Sequence, residues 1–328
     1  MDLMSETPNR PAPPHDTGSQ TNTTIYAVAG PTASGKTEVA VKLALHVGGE
    51  VVNFDSVQIY KGIEIATAKP AIDERRGVPH HLIDYVDPRI NYTAADWAKD
   101  AAVKIGEIEA RGRTPILVGG TGFYLRTLRQ PLFESPRTDL RLRHRLRRIR
   151  EEHGAEHLHR MLLRVDAAAA RDLFPNDSPR VMRALEVYFQ TGERISEVRD
   201  RRSEPPELAG RIKVFVLNPP RNELYEKINR RTERHFAAGL VGEVEKLLAE
   251  GVPESSNALG AHGYRRVCEF LRGERTLASA IEKTKQDVRN YAKRQLTWFR
   301  REPDAIWLNG FGDSPEVEAE LFLRSSSY

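Results

Sequence analysis

The octapeptide Gly30-Pro31-Thr32-Ala33-Ser34-Gly35-Lys36-Thr37 satisfies the spacing G-x-x-x-x-G-K-[ST] in full, and it constrains the chain more than any other feature. A loop of this kind has meaning between a buried strand and the start of a helix. Its glycines let the main chain wrap an anion, successive N–H groups point at phosphate oxygens, and the helix start adds partial positive charge. The flanks supply that context. Thr24-Ile25-Tyr26-Ala27-Val28-Ala29 is a short apolar run closed by Gly30-Pro31, and from Thr37 onward Val39, Leu43 and Val47 recur at helical spacing. On this reading Gly30, Thr32, Ala33, Ser34 and Gly35 cradle phosphate, Lys36 neutralises it, and the Thr37 hydroxyl can reach Mg2+. The pattern leaves open which phosphates are bound and what becomes of them.

Two further apolar runs read as buried parallel strands: Val51-Val52-Asn53-Phe54, ending at Asp55, and Pro115-Ile116-Leu117-Val118, ending in Gly119-Gly120-Thr121. Between them Thr93 and Asp96 form a capping-box-like start to a helix running to about Ala110, which Arg111-Gly112 stops. Strands alternating with helices imply a parallel sheet covered on both faces, so the fold class is α/β with a P-loop core. From Arg137 the texture changes. Arg137, Arg141, Arg143, Arg145, Arg147, Arg148 and Arg150 crowd together, and alanine-rich helical sequence follows to Gly192. Residues 134–192 therefore read as a helical insertion. Sheet character returns with Ile212 to Leu217, the remainder is mostly helical, and Ala305-Ile306-Trp307-Leu308 suits an edge strand. The core then comprises residues 23–133 and 193–312. Residues 1–22, rich in Pro, Thr, Asn and Asp, read as a disordered tail, and residues 313–328 as a frayed one.

Composition narrows the classes. Of 328 residues, 39% are hydrophobic and 29% charged with a mean hydropathy of -0.53, and no apolar run approaches the ~20 residues a membrane span needs. There is no secretory leader pattern, and the one cysteine, Cys268, permits no internal disulfide, so a reducing cytoplasmic setting is expected. Cys268 itself reads as a small core residue. His153, His157 and His159 lack a cysteine or second cluster that would make them a metal site. A net charge of +4 is too mild to imply nucleic-acid binding by itself, but its distribution is uneven. Besides the arginine-rich insertion, Lys285, Arg289 and Lys293 repeat every four residues along one helical stripe while Ile281, Val288, Ala292, Leu296 and Phe299 occupy another. Most loops of this type serve transfer of a nucleotide's terminal phosphoryl group, so a small-molecule kinase stands as one reading, with Asp55 holding Mg2+; on another, Asp55 is a proton acceptor facing the ligand.

Several short words lie in register behind the loop: Asp55-Ser56-Val57-Gln58-Ile59-Tyr60, Thr67-Ala68-Lys69-Pro70, Pro79-His80-His81-Leu82-Ile83-Asp84 and Gly119-Gly120-Thr121-Gly122-Phe123-Tyr124. Asn176-Asp177 with Arg180 to Val187, Gly263-Tyr264-Arg265, and Lys293-Arg294-Gln295-Leu296-Thr297-Trp298-Phe299-Arg300 follow in order. Over roughly residues 24–309 the chain resembles the tRNA dimethylallyltransferases, also called tRNA isopentenyltransferases. The resemblance implies that the loop holds the pyrophosphate of dimethylallyl diphosphate with Mg2+, and that the allyl group moves to N6 of the adenosine 3′ of the anticodon in a tRNA anticodon stem-loop. It implies Asp55 as the base, Thr121 as a substrate contact near the reacting groups, and Lys227 with Arg231 as further diphosphate ligands. Lys227 stands where the family usually has arginine, which keeps the charge without the bidentate fork.

For RNA the resemblance implies contacts from Asp55, Ser56, Val57, Gln58 and Thr121, from Arg141, from Pro179, Arg180, Val181, Met182 and Arg183, from Tyr264 and Arg265, and from Lys293, Arg294, Trp298 and Arg300. The apolar stripe beside Trp298 also allows it a packing role. A monomer is expected. Prenylation of free adenine nucleotides, a small-molecule kinase and a nucleotide-switched RNA-binding protein are the competing functions. The basic insertion and the basic C-terminal helix favour RNA, since a free nucleotide needs neither.

Overall fold

The computed structural model describes residues 23–133, 136–201 and 204–326; the expected N-terminal tail lies outside the described residues. Strands β1 (Ile25–Ala29), β2 (Gly49–Asn53), β3 (His80–His81), β4 (Thr114–Gly119), β5 (Ile212–Leu217) and β6 (Ile306–Leu308) form one sheet ordered β3-β2-β4-β1-β5-β6, with every pair parallel. Parallel strands are covered on both faces and so read as unbroken apolar runs. Along β1, Ile25, Ala27 and Ala29 enter one core while Tyr26 and Val28 enter the other. The short strand β3 went unread because His80-His81 carries no apolar signal.

Helices layer both faces. Helix α1 (Lys36–Val47) lies on the Tyr26 side, and α2 (Ala94–Ala110) and α3 (Gly122–Arg129) on the other. The capping box at α2 is present in both directions: Asp96 N–H donates to Thr93 Oγ1 at 3.2 Å and Thr93 N–H to Asp96 Oδ2 at 3.0 Å. Helices α4 (Leu140–His153), α5 (Ala155–Val165), α6 (Ala167–Asp172), α7 (Ser178–Thr191) and α8 (Ile195–Asp200) follow, with an apolar cluster of their own around Leu146, Leu158, Leu162, Val181 and Leu185. Ile195 of α8 belongs to that cluster, so the helical excursion runs past residue 192, where the sequence reading ended it. The signal at 192 is a left-handed glycine cap, which stops one helix and not the unit. Helices α9 (Arg221–Ala237), α10 (Leu240–Ala249), α11 (Tyr264–Leu271) and α12 (Leu277–Phe299) complete the body, Cys268 being buried in the main core. Among the described residues no helix is long and apolar enough to cross a membrane.

The expectation of a frayed segment from 313 is overturned. Residues Pro315–Ser325 form α13, capped by Ser314 with Pro315 in the first turn, a start signal that the weak apolar content of the segment masked. Val317 and Leu321 enter the core beside α1. Three further contacts seal the helix: Lys42 pairs with Glu318 at 2.6 Å, His46 stacks on Phe322 at 4.5 Å, and Tyr26 Oη donates to the Ser325 carbonyl at 2.8 Å. Because Leu321 is fully buried, Leu321→Ala is expected to cost about 2–4 kcal/mol. The check is the chemical-denaturation midpoint; an unchanged midpoint would show that α13 is not part of the cooperative unit.

Candidate active site

All strands point their carboxyl ends the same way, so the loops after β1, β2 and β4 meet at one edge, where open parallel sheets place ligands. The loop after β1 enters α1 through Gly35, whose φ of 84° is left-handed. A side chain at Gly35 would also press on Gly312 N at 2.9 Å, and Gly312 N–H donates to the Ser34 carbonyl at 2.8 Å. The first N–H groups of α1 have no intrahelical acceptor and face whatever anion enters. Lys36 Nζ donates to the Pro31 carbonyl at 2.7 Å. Thr32 is held by the protein: its N–H donates to Gln295 Oε1 at 2.8 Å and its hydroxyl accepts from Arg231, which leaves the O–H of that hydroxyl for a ligand.

The loop after β2 carries Asp55. Its Oδ1 accepts from Val57 N–H at 2.8 Å and Gln58 N–H at 3.3 Å, leaving Oδ2 to accept from a substrate. Asn53 fixes the turn from behind, its Oδ1 taking Asp55 N–H at 3.1 Å and its amide donating to the Leu82 carbonyl at 3.0 Å. Gln58 is held by the Thr67 and Ala68 carbonyls at 3.0 and 2.9 Å. From the loop after β4, Thr121 Oγ1 accepts from Ser56 N–H at 3.1 Å, which joins the two loops. Thus Asp55, Ser56, Val57, Gln58 and Thr121 come together at one end of the sheet.

Opposite the carboxylate stand cations. Burial pushes Lys36 down to about 8, the Asp55 charge opposing the shift and Arg231 reinforcing it. Burial likewise lowers Arg231 to about 10 against the pull of Asp55. Arg231 and Lys227 line a cavity of about 810 Å³ together with Ala33, Gly35, Arg230 and Arg234. Lys227 lies 3.7 Å from the centre of the Phe311 ring and pairs with Asp313 at 3.2 Å. Lys36 and Arg231, half-buried and sharing the Asp55 carboxylate, leave the site with more positive than negative charge, Glu233 being the acid in the cavity wall. The Ser34 hydroxyl is buried there without a partner. Tyr291, unassigned by the sequence reading, is also here: burial first, then the nearby Asp55 charge, raises its phenol, whose hydroxyl faces Thr121 and Gln295. Its signal was hidden in an amphipathic helix where tyrosine passes for packing.

The expected RNA contacts divide. Arg141, Pro179, Arg180, Arg265, Lys293, Arg294 and Arg300 are exposed. Val181 and Met182 lie inside the insertion's core, and Tyr264 is 1% exposed with its hydroxyl on Glu243 at 2.5 Å, so these three side chains pack inside the protein. Periodicity marks a buried face without saying which residues of a recognition word occupy it. Arg183 bonds the Pro136 carbonyl at 2.7 Å and pairs with Glu186 at 3.4 Å. Trp298 meets Phe123 edge-on at 6.2 Å and covers Gly122, a packing role. The basic stripe on α12 is also partly internal, since Lys285 pairs with Glu233 at 2.6 Å and Arg289 donates to Asn229 at 2.6 Å, both on α9.

Fold and site define a P-loop protein in which the anion cradle confronts a carboxylate and a hydroxyl on neighbouring strand ends. The model of the family described as IPP transferase matches residues 58–302, and the tRNA dimethylallyltransferase of Geobacter metallireducens is 46% identical over 288 residues, 87% of this chain and 92% of that one. The chain belongs to the IPP transferase family. The tRNA dimethylallyltransferase of Solibacter usitatus is 46% identical over 304 residues, 93% of this chain and 98% of its own. Among solved structures, the tRNA isopentenylpyrophosphate transferase of Bacillus halodurans aligns with a TM-score of 0.69 at 36% identity, covering 93% of this chain and 96% of that one. A eukaryotic dimethylallyltransferase acting on tRNA aligns with a TM-score of 0.72 at 27% identity, covering 88% and 74%.

The lowered lysine yields a test. Protonated Lys36 is the form that attracts diphosphate, and with its pKa at about 8 the affinity for magnesium pyrophosphate is expected to fall toward about tenfold per pH unit above that value. Lys36→Arg stays charged throughout, so its affinity is the reference at each pH. Calorimetric titration of both proteins checks this; a constant ratio between them from about pH 7 to about pH 10 would refute the lowered lysine.

Proposed function

We propose that this chain transfers the dimethylallyl group of dimethylallyl diphosphate to N6 of the adenosine 3′ of the anticodon in tRNA, releasing pyrophosphate. The observation that carries the reading is the Asp55 carboxylate, with Oδ2 free, at the same sheet edge as the phosphate loop, where the half-buried Lys36 of the loop and Arg231 of α9 share it as a counter-charge. The names of the relatives above agree with it.

In the transfer the allylic C–O bond breaks and its electron pair leaves on the diphosphate oxygen. The amide dipoles of the loop, Lys36 and Arg231 stabilise that growing charge more than they stabilise the bound substrate. The adenine N6 forms the new N–C bond. This amine is a weak nucleophile because its lone pair is delocalised, and Asp55 accepts the proton it loses. Thr121, already accepting from Ser56 N–H, offers a hydroxyl beside the reacting groups. The donor set fits Mg2+, which takes few protein oxygens and completes its shell with phosphate and water. Thr37, half-buried in the first turn of α1, would hold it; when bound, the ion would neutralise charge on the departing diphosphate. The exposed Arg141, Arg145, Arg147 and Arg148 on α4 suit an RNA backbone and have no use for a free nucleotide.

The test combines the protein, Mg2+, dimethylallyl diphosphate and an anticodon stem-loop, and weighs the RNA for one added five-carbon unit. Asp55→Asn is expected to lower transfer by roughly 10²–10⁴-fold while retaining pyrophosphate binding. Full turnover by Asp55→Asn would remove the base assignment, and phosphorylation of a metabolite from ATP with the prenyl donor untouched would favour the kinase reading.

A further inference from the structure

Helix α12 reaches into the site through a glutamine. Gln295 is 4% exposed; its Oε1 accepts from Thr32 N–H at 2.8 Å and its Nε2 donates to the Gly120 carbonyl at 2.9 Å. Thr32 belongs to the phosphate loop after β1, and Gly120 to the loop after β4 that carries Thr121. The β1–β4 ladder ends at Ala29 opposite Gly119, so these loops continue past the register that aligns their strands. An amide offers one acceptor and one donor on a single planar group; an ionised carboxylate or an ammonium would leave one partner unmet. The fit is close as well. A Cβ on Gly120 would stand 2.1 Å from Gln295 Nε2, which explains why that loop position is glycine.

We propose that Gln295 is a positioning residue for the transfer: it locks the diphosphate loop to the loop bearing Thr121, and thereby fixes the leaving group relative to the acceptor amine. This rests on the functional reading above and adds a residue to it. Both ends of the Gln295 amide bond the protein. It acts through the Thr32 amide, whose orientation sets where the following amides of the cradle point, and through Gly120, which precedes Thr121 directly.

The experiment compares wild type, Gln295→Ala and Gln295→Glu for magnesium pyrophosphate affinity by calorimetry and for transfer to the stem-loop, with unfolding midpoints recorded for each. Gln295→Ala removes both bonds and is expected to weaken pyrophosphate binding roughly tenfold, the scale of one buried hydrogen bond left unmade. In Gln295→Glu an ionised carboxylate opposes the Gly120 carbonyl, whereas a protonated one presents C=O and O–H and reproduces the amide. The affinity gap between Gln295→Glu and wild type is therefore expected to narrow as the pH falls from about 8 to about 5, while the gap for Gln295→Ala does not. Taking the ratio at each pH cancels protonation of the ligand itself. A merely structural glutamine predicts no such acid rescue. Wild-type affinity in Gln295→Ala, or a Gln295→Glu gap that acid leaves unchanged, would overturn the proposal. Failure of wild type to bind pyrophosphate would instead sink the functional reading on which it rests.

Discussion

The withdrawal of Lys36 and Arg231 from water, with Asp55 as their shared counter-charge, is the interaction on which the rest of the site depends. Lowering an ammonium from its usual value to about 8 represents roughly 3 kcal/mol net in favour of the neutral form, burial and Arg231 outweighing the pull of Asp55. The fold holds that cost because an arriving diphosphate returns more, through charge-assisted bonds in a place where water no longer competes. Several features share this purpose. The cradle must lie at a helix start, the carboxylate must sit at the end of β2, one strand removed from β1, and Arg231 must come in from α9 to touch Thr32. The result is a site in which cations and a carboxylate with one free oxygen share one edge of the sheet.

How much was readable in the sequence follows from how local each signal is. The strand, loop and helix around Gly30 to Val47 were legible because glycine spacing, apolar runs and helical periodicity all agree within some twenty residues. The start of α2 was legible for the same reason, through Thr93 and Asp96. That Asp55 and Thr121 lie at one end of the sheet was legible because each follows an apolar strand, and parallel strands put such residues together. Helix α13 was missed, although Ser314-Pro315 announces it, since its stability comes from docking Val317 and Leu321 on α1 rather than from its own propensity. Tyr264 was misread because a recognition word says nothing about which way a side chain points.

The insertion shows the same limit for charge. Its arginines look alike in sequence, yet Glu186 is fully buried in α7 and binds Arg143 in a two-pronged pair at 2.5 and 2.8 Å, with Arg183 alongside. Removing that carboxylate would leave buried positive charge unpaired, so these arginines hold the helices together. Arg141, Arg145, Arg147 and Arg148 face outward on α4 instead. A basic cluster therefore divides into charges that build the domain and charges that remain for a polyanion, and only the buried acidic partner tells them apart.

The phosphate loop is itself a local motif held by distant parts of the chain. Thr32 is gripped by Arg231 and by Gln295, and Ser34 by Gly312. None of these three lies within the sheet-and-helix unit that announces the motif. An anion cradle alone binds phosphate indifferently, since its amides and lysine recognise charge and shape at one point. Orienting a diphosphate so that its carbon substituent, and not its phosphorus, meets a nucleophile requires the cradle to be set against the opposite loop. The C-terminal helices supply that frame, and α12 does so while keeping Lys293 and Arg294 at the surface. One helix thus bonds both loops through Gln295 while presenting basic side chains outward, so the frame around the phosphate loop comes from the last hundred residues of the chain as much as from its start.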